Sequence, residues 1–219
     1  MQVEDLGLID YKKAWDYQEE IHSQILKNRT DNGNAAVLLL CEHPHVFTLG
    51  KNGSENNLLI NQDLLEKRGA TFYKIDRGGD ITYHGPGQLV GYPIIDLTRL
   101  HLGVKEYVHK LEQVIIDLLI EFNIIATRLD GATGVWLDKD IPGRARKICA
   151  MGIRVSRGVT MHGFALNVNA DLSFFNLINP CGFTDKGVTS IQKELGEEIS
   201  MQAIKDKFIL LFEKEFSVN

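Results

Sequence analysis

The chain is predicted to adopt an α+β fold, a mixed, largely antiparallel sheet with helices packed against it. Three observations predict this. Long stretches repeat apolar residues with the helical period, short strand-like runs lie between them, and the last of those runs follow one another directly. Successive strands joined by tight turns pair antiparallel, and the interspersed helices must bury their apolar stripes against that sheet.

Near the start, Tyr11, Ala14, Trp15, Ile21, Ile25 and Leu26 share one helical face, and Asp10 stands at the N-cap position. Strand-like runs follow at 35–41 and 46–49. A short helix around 62–68 ends at Gly69, the residue type that best tolerates a left-handed helix terminus. Two more strand-like runs cover 71–75 and 89–95. The clearest helix comes next: Val104, Tyr107, Val108, Leu111, Val114, Ile115, Leu118, Leu119 and Phe122 keep the i, i+3, i+4, i+7 rule unbroken. Runs at 124–128, 134–137, 148–155 and 160–168 then succeed one another, with Ser156, Arg157 and Gly158 forming a hairpin. A last helix follows Ser200, with Ile204, Phe208, Leu211 and Phe212 inward. No repeat or Pro/Ser-rich linker interrupts the order, so residues 1–219 are expected to form a single domain.

A formal charge of −5 argues against nucleic-acid binding, which normally shows a basic excess. Three cysteines at unrelated spacings make no disulfide framework and fit a reducing compartment. The first residues carry acids where a signal peptide carries a basic segment, and no apolar run approaches membrane-spanning length. A soluble, cytoplasmic protein is expected, with no membrane partner.

Chemistry is concentrated in two places. Residues 77–89 hold four glycines, a proline, Arg77 and His84 within thirteen positions. Such a stretch costs chain entropy and gives the core little, so it predicts close approach of backbone to something bound. The second place is Asn179-Pro-Cys-Gly-Phe183. Cys41 and Cys149 sit in strand-like runs and read as small apolar fillers. Cys181 sits between proline and glycine, a turn that presents the thiol outward; a filler and a reactive nucleophile both remain open.

A reactive thiol needs a base or cation beside it, and His84, His162 and Lys147 are the candidates. Lys147 closes the basic stretch Arg144-Ala-Arg-Lys147 before a strand, where a lysine is ordinarily a solvated edge residue. His43 and His45 near Cys41 lack a fourth ligand and Pro44 interrupts them, so no metal is expected. Gly85-Pro-Gly87 is followed by a strand, not the helix that a dinucleotide fingerprint requires, and the segment Gly50 to Gly53 fails as a P-loop. No cofactor is expected. Trp15 and Trp136 read as core.

Four segments together resemble one family. They are Arg-Gly-Gly-Asp-Ile-Thr-Tyr-His-Gly-Pro-Gly-Gln at 77–88, Lys-Ile-Cys-Ala-Met-Gly-Ile-Arg-Val at 147–155, His-Gly-Phe-Ala-Leu-Asn-Val at 162–168, and Ile-Asn-Pro-Cys-Gly at 178–182. With Glu42-His-Pro44 and Thr48-Leu-Gly50, they are similar, in order and over nearly the whole chain, to the lipoyl(octanoyl) transferases. One departure is the longer basic lead-in from Gly143 to Lys147.

The resemblance implies the fold shared by lipoate and biotin protein ligases, and an acyltransferase working without cofactor or metal. It implies octanoyl-acyl carrier protein as donor. The implied acceptors are lipoyl domains of 2-oxoacid dehydrogenase E2 subunits and the glycine cleavage H protein, with the chain acting as a monomer. Cys181 matches the residue that carries the acyl thioester, and Lys147 the lysine that activates it. Arg77, Gly78, Gly79, Asp80, Ile81, Thr82, Tyr83 and His84 match stretches lining the acyl site, as do Ala150, Met151, Gly152, Gly163, Phe164 and Ala165. The competing readings are an ATP-dependent lipoate- or biotin-type ligase, which forms an acyl adenylate, and a non-catalytic acyl-binding module.

Overall fold

A computed structural model of the chain describes residues 1–29, 36–179 and 186–216. Cys181, and residue 35 of the first expected strand, lie outside the described residues.

Eight strands form one sheet: β1 (Gln2–Leu8), β2 (Ala36–Glu42), β6 (Gln88–Ile95), β10 (Val159–Asn167), β9 (Arg146–Ser156), β8 (Ala132–Leu137) and β7 (Thr127–Leu129) in that spatial order, with β11 (Gly187–Val188) added to β9. Among the described residues, only β1–β2 and β9–β11 are parallel within it. A smaller sheet orders β4 (Thr71–Lys74), β3 (Val46–Leu49) and β5 (Ile81–His84). The fold is therefore α+β, with a mostly antiparallel sheet between helices.

Period-two alternation sorts the central strands between two cores. In β2, Val37, Leu39 and Cys41 face α1 (Tyr11–Lys27), whereas Leu38 and Leu40 face α3 (Val104–Ile120) and α5 (Met201–Phe216). In β6, Val90, Tyr92 and Ile94 join the first group, and Leu89 and Ile95 the second. Helices on both faces explain why these strands read as unbroken apolar runs. Asp10 caps α1 by accepting from the Lys13 amide. Pro93 brings no N–H to β6, and Thr160 completes the bonding there: its hydroxyl donates to the Pro93 carbonyl and accepts from Ile95 N–H.

Four differences from the expected elements have physical reasons. The edge strand β1 was not expected, because acids interrupt its apolar pattern; it pairs parallel with β2. The strand expected at 124–128 begins only at Thr127, because Asn123 adopts a left-handed conformation and Ile124 folds back to donate to the Leu119 carbonyl. The short helix α4 (Ile191–Leu195), capped by Ser190 and closed by left-handed Gly196, is too brief for a period to show. Within the glycine-rich segment, Ile81–His84 forms β5 on the second sheet. Helix α2 (Gln62–Lys67) ends before Gly69 as expected, with Leu65 in the core beneath the small sheet. Among the described residues, no helix is long and apolar enough to cross a membrane.

Candidate active site

The two sheets meet around a cavity of about 750 Å³. Its walls are the glycine-rich segment, β9, β10, the first turns of α1 and α3, and the chain on either side of residues 180–185. Arg77, Gly78, Gly79, Asp80, Ile81, Thr82, His84, Lys147, Ala150, Met151, Gly152, Gly163, Phe164 and Ala165 all line it. Tyr83 does not. Strand alternation turns it from Thr82 and His84 into the core of the small sheet, where its ring stacks on Phe174 and its hydroxyl meets His45 Nδ1 at 2.7 Å.

Glycines make the room. Gly163 of β10 pairs with Gly152 of β9, so at this one register position the cavity floor carries no side chains. The glycine-rich turn lies directly on that floor, with Gly78 N–H donating to the Ile153 carbonyl at 2.9 Å. A methyl on Gly152 would lie 2.9 Å from both Arg77 Cδ and the Gly78 carbonyl oxygen. Arg77 is buried, and its guanidinium donates to the Thr48 carbonyl at 2.8 Å, to Thr48 Oγ1 and to the Gly78 carbonyl, fastening the turn to β3. Asp80 holds the same turn by accepting from Ile81 N–H and Asn57 Nδ2.

A buried polar network backs the wall. His84 Nδ1 meets Gln88 Oε1 at 2.8 Å; Gln88 Nε2 donates to Asn167 Oδ1, and Asn167 Nδ2 to the Thr189 carbonyl. Burial, with His43 nearby, lowers His84 to about 3. His43 Nδ1 meets the Ile9 carbonyl at 2.7 Å and so carries the proton, leaving Nε2 to accept from the Tyr92 hydroxyl at 2.6 Å. Burial lowers His43 to about 4. At neutral pH both rings are uncharged hydrogen-bonding parts. His84, one of the bases the sequence left open for the thiol, is thus held neutral and engaged with Gln88. His43 and His45 also diverge, toward Tyr92 and toward Tyr83, which removes the basis for a joint metal site.

These two imidazoles give the fold an acid sensitivity with a definite sign. The unfolded chain protonates them near 6.5, whereas the folded protein resists until about 4 and about 3. Below pH 6.5 the unfolded state binds more protons, so the stability present above that pH is lost as pH falls. Urea unfolding is expected to show a loss of roughly 2–4 kcal/mol between pH 7 and pH 5, where carboxylates still stay ionised. A flat profile across that window would contradict the buried neutral assignment.

His162 also reaches the wall, held in a left-handed conformation with φ 58°. Its Nε2 lies 3.0 Å from Asp76 Oδ1, while Asp76 Oδ2 pairs with Arg154 at 2.8 Å. The hydrogen bond from His162 comes first among the causes holding the Asp76 carboxyl below its usual range, and burial holds His162 low.

Lys147 is half-buried on β9 between β8 and β11, opposite Trp136 and Val188. Its Nζ stands 4.6 Å from the centroid of the Trp136 ring. Trp136, expected in the core, is indeed buried, yet it also borders the cavity. Ile178 and Asn179 precede residues 180–185, and Lys186, Gly187 and Val188 follow them; all five line the cavity. Asn179 is tied by its N–H to the Asn57 carbonyl, and Gly187 to the Ala145 carbonyl. Val104 and Val108 add an apolar side from α3. The sequence placed these two valines in a helix and gave them no site role; only the packing of α3 against β8 puts them there.

Comparison with known proteins shows the family. The family model described as the lipoyl protein ligase A/B catalytic domain matches residues 10–213. The chain is 53% identical over 215 residues to an octanoyltransferase of Cytophaga hutchinsonii, covering 93% of this chain and 87% of that one. It is 52% identical over 214 residues to an octanoyltransferase of Parabacteroides distasonis, covering 97% of each. In structure it resembles a bipartite lipoate protein ligase from Thermoplasma acidophilum (TM-score 0.69, 13% identity, 100% of this chain and 85% of that one). It also resembles the biotin protein ligase of Aquifex aeolicus in complex with biotin and ATP (TM-score 0.56, 12% identity, 98% and 69%). At such identities the likeness concerns the fold alone. A match over most of the chain, with half its residues shared with octanoyltransferases, places it: the chain belongs to the lipoyl protein ligase A/B catalytic domain family.

Proposed function

We propose that residues 1–219 form one catalytic domain that moves an octanoyl group from acyl carrier protein to a lysine of lipoyl domains through a thioester on Cys181. One observation carries the reading. Lys147 and the residues on both sides of 180–185 line a single cavity with an apolar side and a glycine floor.

The donor is already a thioester, so thiolate exchange needs no nucleotide. The Cys181 thiolate attacks the octanoyl carbonyl, backbone N–H groups of the glycine-rich turns hold the oxyanion, and the carrier leaves as its own thiol. The acceptor amine then attacks the acyl-enzyme, loses a proton, and forms the amide while the Cys181 sulfur departs. Lys147 serves as a cation favouring the thiolate or, when neutral, takes the amine proton. Burying the octanoyl methylenes contributes about 0.8 kcal/mol each, enough to hold the chain. The acceptors in this reading are lipoyl domains of 2-oxoacid dehydrogenase E2 subunits and the glycine cleavage H protein. A cytoplasmic setting fits the free, buried thiols of Cys41 and Cys149.

The test combines the protein, octanoyl-acyl carrier protein and an unmodified lipoyl domain without nucleotide. Octanoylation of one domain lysine, found by peptide mass spectrometry, is the expected result. Modification only with ATP points to a ligase, and none points to a binding module.

A further inference from the structure

We infer that the Trp136 ring is a positioning residue for Lys147, holding its side chain in place and favouring its ammonium form. The inference deepens the role given to Lys147 and rests on that reading for its bearing on catalysis.

Three features converge on the pair. The Lys147 ammonium lies 4.6 Å from the ring centroid, inside the range at which the negative face of an indole attracts a cation. Trp136 cannot swing away freely, because its Nε1–H donates to the Ala132 carbonyl at 2.9 Å and its ring is buried. The register shift between Val135 and Trp136 sets the indole opposite Lys147, where regular pairing would place another residue. The strand is thus built to seat one lysine on one ring.

Other titratable groups share these surroundings. Among the described residues they include Lys186 and Asp80 on the cavity wall, Glu112, whose carboxylate accepts from Gly134 N–H, and the buried thiol of Cys149, to which the proposed function adds the Cys181 thiol. None is altered when Trp136 is changed, so a comparison of variants isolates the ring.

The ring attracts the ammonium and not the amine, so its removal makes Lys147 give up its proton more readily. The Lys147-dependent limb of the pH profile then moves to lower pH, whether the reaction uses the cation or the neutral base. The experiment is competitive acetic anhydride labelling across pH, read at the Lys147 peptide by mass spectrometry. It compares the natural protein with Trp136→Phe, Trp136→Leu and protein containing fluorinated tryptophan. The labelling midpoint should fall by about half to one pH unit in Trp136→Leu, and by less in Trp136→Phe. Fluorination weakens the ring's negative face without changing its shape, so a graded fall is expected even if Trp136→Leu folds poorly. Midpoints that coincide in all four proteins overturn the proposal. If the labelling midpoint moves while the pH limb of octanoyl transfer stays fixed, the ring's hold on Lys147 stands and the catalytic role of Lys147 fails.

Discussion

Acyl-enzyme formation is expected to slow by about a hundredfold or more when Lys147 is replaced by alanine, with little change in melting temperature. Without a neighbouring cation or base, a thiol is mostly protonated at neutral pH and attacks slowly. The wall offers no ready substitute in its imidazoles. His84 is neutral down to about 3 and spends Nδ1 on Gln88, and His162 commits Nε2 to Asp76. Lys147 is only half-buried, so its loss removes little packing. Rapid-quench mass spectrometry with octanoyl-acyl carrier protein measures the step, and a normal rate would remove Lys147 from the mechanism.

The second large effect concerns the cavity floor. Gly163→Ala should destabilise the fold by about 3 kcal/mol and abolish octanoyl transfer. A methyl at this position overlaps the backbone carbonyl of Gly91 on the neighbouring central strand and comes within 2.7 Å of Pro93 Cδ. Backbone in the middle of an eight-stranded sheet cannot yield as a long side chain can, so β6 and β10 must part. Urea unfolding of the variant, followed beside its acyl transfer rate, checks both halves. A stable, active Gly163→Ala protein would mean that the floor tolerates bulk and that shape is set elsewhere.

Much of the fold was legible because burial on both faces writes itself as continuous apolar runs, as in 37–41 and 89–95. The three long helices carried the helical period, unbroken in α3. The glycine-rich segment hid more. Its Ile-Thr-Tyr-His stretch reads as loop beside so many glycines, yet it is β5. Once it is a strand, alternation alone turns Tyr83 away from Thr82 and His84. The described residues of the local motifs, Tyr83 excepted, line one cavity, since those motifs are stretches of backbone lying close to it; Cys181 lies outside the described residues. Trp136 and Lys147 meet through a shifted register between two strands, a relation absent from either strand's own sequence. Val104 and Val108 join the wall because α3 packs against β8, and no local pattern encodes that packing.

The most direct measurement is the intact mass of the protein after incubation with octanoyl-acyl carrier protein and no nucleotide. One octanoyl group, bound through Cys181, released by hydroxylamine and lost in Cys181→Ser, is the predicted result. A protein that gains no octanoyl group, or gains it only with ATP or equally in Cys181→Ser, would contradict it.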